Sequence, residues 1–411
     1  MKRFFTLLYV IFFSITVNGQ TKQTITGIEV LEANRFDILK GKNIGLITNP
    51  TGVNSKLKST VDILHEAKEV NLVALYGPEH GVRGNFSAGD KVGSSVDPKT
   101  GIPTFSLYGK TRKPTKEMLK GVDVLVYDIQ DVGSRSYTYI NTMGLAMEAA
   151  AENNIEFVVL DRPNPLGGNR VEGGLVEEGF FSFVSQYPVP YIYGFTPGEM
   201  ATFINKEGLL KNQQKCKLHV VKMENWERSM SFPETGLPWV PTSPHVPRSN
   251  SAFFYSTTGI IGELDANSIG IGYTLPFEVF VTTWLDADKF AERMNKFNLK
   301  GVMFRPISFK PYYMKNKGKE HFGAQIFITD FNKVNLTEIQ FRLVQAANEL
   351  MPDSSVFEMN PHRFNMFDKV AGSNKIRELF MQNYRFEDIR ELWEEPAKAF
   401  REKYKKYYLY Q

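Results

Sequence analysis

The chain has 411 residues, a formal charge of +4, 13% aromatic residues and a single cysteine, Cys216. So small a charge gives no electrostatic case for a nucleic-acid partner. One cysteine excludes an intramolecular disulfide framework and a cysteine-based zinc site, while the length suits two domains with full cores.

Lys2 and Arg3 precede an apolar run, Phe4 to Val17, that is too short to span a bilayer. With the small residue Gly19 just before Gln20, residues 1–19 read as a secretory leader. The expectation is a periplasmic or secreted mature chain without stable membrane insertion. A lipobox is not possible, because the one cysteine is far from this region.

From about residue 25 to 250, strand and helix patterns alternate. Strands are expected at 43–48, 72–76, 104–108, 122–127 and 155–160. Helices are expected at 59–67, 115–119 (with Thr115 as N-cap) and 139–153. The run Val122-Asp-Val-Leu-Val-Tyr127 is almost continuously apolar, as central parallel strands are. This rhythm predicts an α/β domain over 20–250, a parallel sheet covered by helices on both faces. Residues 230–257 hold five prolines, Pro233 to Pro247, and read as a long connection without helix. Beyond it, strands at 277–284 and 323–329 and helices at 286–297 and 336–350 predict a smaller α+β domain over 251–411. The aromatic tail Tyr404 to Tyr410 is expected to pack on that same domain.

Polar clusters follow the strands of the first domain. Asn49-Pro-Thr-Gly52 follows the first. Glu79, His80 and Arg83 follow the second, on a turn set by Gly77-Pro78. Asp128, Gln130, Asp131, Ser134 and Tyr137 follow the strand at 122–127. Asp161, Arg162 and Asn164 follow the strand at 155–160. In a parallel sheet these ends share one edge and meet at one crevice, where such folds place their ligands. Capping of loops or ion pairing accounts for each carboxylate about equally well.

Several chemistries lack their signatures. There is no G-x-G-x-x-G, no P-loop and no G-x-S-x-G elbow. His80 stands as the one histidine near these strand ends, so no metal and no cofactor are expected. A Glu on a Gly-flanked turn beside an imidazole suits proton transfer. Carboxylates gathered in a cleft with tyrosines suit glycoside hydrolysis, with Tyr76, Pro78 and Tyr108 as the apolar surround of Glu79. A second carboxylate or the substrate's acetamido group then stabilises the transition state. An arginine in such a pocket suits a substrate carboxylate.

Long runs of the chain resemble one known family. They are Gly45-Leu-Ile-Thr-Asn-Pro-Thr-Gly52, Tyr76-Gly-Pro-Glu-His-Gly-Val-Arg-Gly84, Ser106-Leu-Tyr-Gly109, the segment Val126 to Tyr139, and Leu160-Asp-Arg-Pro-Asn-Pro-Leu-Gly-Gly168. Tyr193-Gly-Phe-Thr-Pro-Gly-Glu-Met200 and Pro276-Phe-Glu278 match as well. The family is DUF1343, the exo-β-N-acetylmuramidases of the NamZ type. The resemblance implies a Rossmann-like N-terminal domain that carries the active site and a smaller C-terminal domain that closes over it. It implies release of N-acetylmuramic acid from peptidoglycan fragments, with Glu79 as the acid. His80 and Asp128 are then expected to assist Glu79, and Arg83 or Arg162 to bind the lactyl carboxylate. One run departs from the family pattern. Glu263 and Asn267 are kept, but Ser268-Ile-Gly-Ile-Gly272 lacks the Glu and Arg expected there. If those positions touch substrate in relatives, specificity differs here. A sugar-binding protein on the same scaffold and a cell-wall amidase or esterase are the competing readings. Oligomeric state is not legible.

Overall fold

A computed structural model describes residues 22–84, 95–313 and 317–411. The expected leader lies outside them. The first layer runs α1 (Gly27–Ala33), β1 (Asn43–Thr48), α2 (Thr60–Glu66), β2 (Asn71–Gly77), β3 (Ser95–Val96), β4 (Pro103–Ser106), β5 (Val124–Asp128), α3 (Tyr139–Glu152), β6 (Glu156–Leu160), α4 (Pro197–Lys206) and β7 (Lys217–Val221). Its strands form one seven-stranded sheet in the order β3-β4-β2-β1-β5-β6-β7. All neighbours pair in parallel except the short edge strand β3. Strand order reverses between β1 and β5, which places a crevice at their carboxyl ends.

Local chemistry sets these elements. Ser59 caps α2 by accepting the Asp62 amide, and Thr196 with Glu199 forms a capping box ahead of Pro197 in α4. Every residue of β5 is buried. One sheet face packs Ile44, Leu46, Leu75 and Val126 against α1 and α2. The other packs Ile47, Tyr76, Tyr127 and Phe157 against α3 and α4.

The second part begins with α5 (Ser251–Gly262), then β8 (Val279–Thr282), α6 (Ala287–Lys296), β9 (Val302–Phe309), β10 (His321–Ile328) and α7 (Leu336–Leu350). Four helices complete it: α8 (Val356–Met359), α9 (Phe364–Ala371), α10 (Asn374–Asn383) and α11 (Phe386–Tyr404). Its sheet is antiparallel, ordered β8-β10-β9.

Four expectations need correction. Residues 115–119 form a turn, not a helix. Thr115 still accepts the Met118 amide at 3.3 Å, but one such bond does not offset the cost of nucleating a helix. The 230–257 stretch is not free of helix. Pro233 sits in the first turn of a short 3-10 segment, where proline is tolerated, and α5 starts four residues after Pro247. β4 stops at Ser106, so Tyr108 leaves the sheet.

The aromatic tail crosses to the first layer instead of packing on its own part. Phe400 lies 5.7 Å from Phe195 and 5.6 Å from Phe203. The Arg228 guanidinium stacks 3.3 Å above the Tyr408 ring. Tyr410 donates to Asp161 at 2.5 Å, and Arg228 N–H donates to the Gln411 carbonyl at 2.8 Å.

Several crevice residues expected to meet substrate serve this framework instead. The Arg162 guanidinium does not pair with Asp161, whose carboxylate accepts the Arg162 backbone amide at 3.0 Å, the Gly198 amide at 2.7 Å and the Thr196 and Tyr410 hydroxyls. Asn164 donates to the Phe195 carbonyl and accepts the Leu166 amide. The buried Ser134 hydroxyl meets that of Ser256, 2.7 Å away on α5. Asp131 accepts the Val132 amide at 2.6 Å and the Tyr193 hydroxyl at 2.7 Å. Burial leaves each of these groups to find partners inside the protein.

Arg135 stitches the two parts together. It is fully buried. Its guanidinium donates to the carbonyls of Gly174 and Val189 in the first part and of Val370 and Ala371 in α9. Burial pushes it down to about 9. Arg135→Met orphans these carbonyls and should cost about 3 kcal/mol or more of unfolding free energy. Urea titration measures it, and a change within about 0.5 kcal/mol would reject the stitch.

Burial also pushes the Asp131 carboxyl from 3.8 up to about 7. The folded state therefore keeps a proton that the unfolded chain releases across that window. The stabilising contribution is complete below the unfolded value and declines as pH rises to about 7. Asp131→Asn should flatten the fall in stability between pH 5 and pH 8. Equal slopes for variant and parent in denaturation at those two pH values would contradict this.

Candidate active site

The site starts where β2 ends. Pro78 to Gly81 form a tight turn closed by the Gly81 amide on the Pro78 carbonyl at 2.9 Å. His80 adopts the left-handed region at φ 73°, a conformation that costs a non-glycine residue free energy and that concentrates at functional sites. Gly77 permits the turn, because a Cβ there would lie 2.8 Å from the Val82 nitrogen. The result lifts Glu79 and His80, both half-buried, onto the carboxyl edge of the sheet.

Glu79 and His80 line a cavity of about 180 Å³. Ser136, Tyr137 and Tyr139 enter it from the β5–α3 connection, Ser243 and His245 from the proline-rich connection, and Tyr255 from α5. Phe277 closes it. The rings interlock edge to face. Tyr137 lies 5.0 Å from Tyr139 and 5.5 Å from Tyr255, and Tyr255 lies 5.0 Å from Phe277. Their hydroxyls are each held by a protein partner: Tyr137 to Thr242 at 2.8 Å, Tyr139 to the Thr242 carbonyl at 2.6 Å, and Tyr255 to Ser136 at 2.8 Å. Burial holds the Tyr137, Tyr139 and Tyr255 hydroxyls well above the usual tyrosine range, so these three rings stay uncharged.

One hydroxyl addresses Glu79 directly, and two imidazoles share its pocket. The Tyr108 hydroxyl hydrogen-bonds its carboxylate, and Tyr108 is pushed up to about 12 by burial and then by that bond. His80 is its chain neighbour. His245 faces His80, and burial followed by the field of His80 lowers it. Among the described residues no cluster of three or more histidine, cysteine or carboxylate side chains is placed to hold a metal ion.

Of the residues expected in the site, Glu79, His80 and Tyr137 come together here. Asp128 does not. It is fully buried and receives a two-pronged bond from Arg162, at 2.5 and 2.9 Å, and the Thr60 hydroxyl. Arg162 is thereby committed to a protein carboxylate. Arg83 is committed likewise, to Asp97 at 2.8 and 3.0 Å and to Asp62. Neither guanidinium lines the cavity, because each neutralises an acid buried beside it. Gln130 donates to the Asp131 and Pro163 carbonyls. Glu263 pairs with Arg363 at 3.0 Å. Asn49 accepts from Thr51 at 2.6 Å, while its buried amide nitrogen finds no hydrogen-bond partner among the described residues. Tyr76 points into the core, donating to the Met118 carbonyl, so it does not shield Glu79.

His245, Tyr139 and Tyr255 escaped sequence reasoning. His245 corrects the expectation of one histidine at this edge. The available clue was its setting, Pro244-His-Val-Pro247, an imidazole on a loop stiffened from both sides.

Comparison with known proteins finds one family along nearly the whole chain. Residues 44–250 match the family model described as exo-beta-N-acetylmuramidase NamZ, N-terminal, and residues 253–410 match its C-terminal counterpart. The chain is 46% identical over 385 residues to the peptidoglycan beta-N-acetylmuramidase NamZ of Bacillus subtilis (strain 168), covering 94% of this chain and 91% of that protein. Two crystal structures of DUF1343 family proteins from Bacteroides fragilis are similar. One is 55% identical with TM-score 0.91, covering 95% of this chain and 99% of the other. The second is 28% identical with TM-score 0.74, covering 94% and 99%. With both family models matched in sequence and a glutamate-bearing aromatic pocket at the sheet edge, this chain belongs to the NamZ family of exo-β-N-acetylmuramidases, which are glycoside hydrolases.

Proposed function

We propose that the chain hydrolyses the terminal, non-reducing N-acetylmuramic acid from peptidoglycan fragments, after export to the periplasm or beyond. The observation that carries this reading is Glu79 on its strained turn, hydrogen-bonded by Tyr108 at a pocket walled with uncharged rings. The basic, then apolar start of the chain supports export.

Glu79 gives its proton to the glycosidic oxygen. The bond from that oxygen to C1 breaks, and positive charge spreads over C1 and the ring oxygen. Water then adds to C1 and loses a proton, which gives the free sugar and restores protonated Glu79. The aromatic walls keep the local dielectric low, which strengthens the interaction of the Glu79 carboxylate with that charge. A pocket closed by Tyr137, Tyr255 and Phe277 suits one terminal ring, in keeping with exo action. With Arg83 and Arg162 engaged elsewhere, the imidazole N–H groups of His245 and His80 are the pocket donors left to hydrogen-bond the lactyl carboxylate.

Incubation with chromogenic β-N-acetylmuramide and β-N-acetylglucosaminide tests the reading. Release from the muramide is expected, and Glu79→Gln should lower kcat at least about 100-fold while leaving binding intact. Unchanged turnover in that variant would remove Glu79 from its role. Release of a peptide or acyl group in place of a sugar would favour an amidase or esterase. His245→Ala should cut the preference for muramide over glucosaminide about tenfold. An unaltered ratio of kcat/KM values would place lactyl recognition elsewhere.

A further inference from the structure

A ladder of near-parallel rings runs outward beside the pocket. His321 stacks on Phe309 at 6.3 Å, Phe309 on Tyr273 at 4.0 Å, and Tyr273 on Tyr312 at 5.6 Å, with interplanar angles of 18°, 13° and 24°. His321 and Phe309 are buried, Tyr273 is half-buried, and Tyr312 is 63% exposed. The next residue, Tyr313, is 46% exposed and stacks on His245, with its hydroxyl 3.2 Å from Nε2. His245 lines the Glu79 pocket. The tyrosine platform therefore adjoins the pocket mouth.

The segment that departs from the family pattern builds this platform. Ser268 pairs with Val281 on β8. The Tyr273 amide bonds the Gly270 carbonyl at 3.0 Å, and the Tyr312 amide bonds the Gly272 carbonyl at 2.8 Å. The Phe277 amide bonds the Ile269 carbonyl at 2.6 Å. Gly270 stands at φ +87°, and a Cβ there would fall 2.0 Å from the Leu275 carbonyl oxygen. One compact turn thus carries both a pocket wall, Phe277, and a platform ring, Tyr273. A purely structural stack would bury its outer ring, as this one buries its inner rings. Large aromatic surface held open in a fixed orientation marks a binding site.

We propose that Tyr312, Tyr273 and Tyr313 form the leaving-group subsite, which seats the sugar ring on the far side of the scissile bond. This rests on the muramidase reading above. In an exo enzyme the terminal ring fills the pocket and the rest of the chain must emerge at its mouth. A pyranose offers a face of C–H bonds with partial positive charge, which suits the negative face of a tyrosine ring, and the phenol hydroxyls can bond the sugar hydroxyls. Phenol and imidazole rings suit a neutral N-acetylglucosamine unit better than an acidic stem peptide, which would call for guanidinium or ammonium groups.

Calorimetric titration of the Glu79→Gln protein with N-acetylmuramic acid and with the disaccharide N-acetylmuramyl-β-1,4-N-acetylglucosamine tests the subsite. The disaccharide should bind about tenfold tighter. Adding Tyr312→Ala should erase that gain and leave affinity for the monosaccharide within twofold, whereas Tyr312→Phe should preserve it. Because Tyr312 is exposed, its truncation should leave the fold intact, and thermal melting of the variant checks this. A disaccharide gain that survives Tyr312→Ala, or equal weakening for both sugars, overturns the subsite alone. Binding of neither sugar overturns the muramidase reading and the subsite with it.

Discussion

The clasp between Asp128 and Arg162 holds the edge on which everything else stands. Asp128 ends β5, and its backbone carbonyl accepts the Thr48 hydroxyl from the end of β1. Its carboxylate takes Arg162 from the end of β6 and Thr60 from the start of α2. Arg162 reaches on to the Val53 carbonyl. Three strand ends and two loops are therefore fixed by one buried pair. Such a pair contributes little net stability, since desolvating both charges offsets most of their attraction. What it supplies is a single arrangement of the loops, and removing either partner would leave a buried charge alone.

A division of labour follows from burial. Acids deep at the edge, Asp128, Asp131 and Asp161, are consumed in internal bonds. Glu79 stands apart because its strained turn carries it up out of the sheet, into a box of rings whose hydroxyls are bonded to Thr242 and Ser136. The pocket thus gains low polarity from tyrosines without their hydroxyls competing for the glutamate, Tyr108 excepted.

The parallel sheet was legible because continuous apolar strands alternating with capped helices admit few other folds. The turn that carries Glu79 and His80 was legible because glycine and proline announce it at a strand end. The roles of Arg83 and Arg162 were not. A sequence shows that an arginine lies near a site but not that Asp97 or Asp128 already holds it, because those pairings join segments 14 and 34 residues apart. His245 was hidden for the same reason, since the fold of a long proline-rich connection alone brings it to His80. Thr115 shows the opposite failure, a local cap with no helix behind it.

The tail that leaves α11 has a consequence for how the molecule is made. Tyr410 meets Asp161 across 249 residues of sequence, and Phe400 belongs to the core beneath the first sheet. A fragment ending near residue 250 would expose Phe195 and Phe203 and leave the Asp161 carboxylate without its phenol partner. The two segments that look like domains along the chain thus share an aromatic seam and a buried hydrogen bond. Closing so long a loop before its contacts are rewarded is slow, so the chain must pass through a stage with an open aromatic seam, and that seam is where a chaperone or a protease would find it.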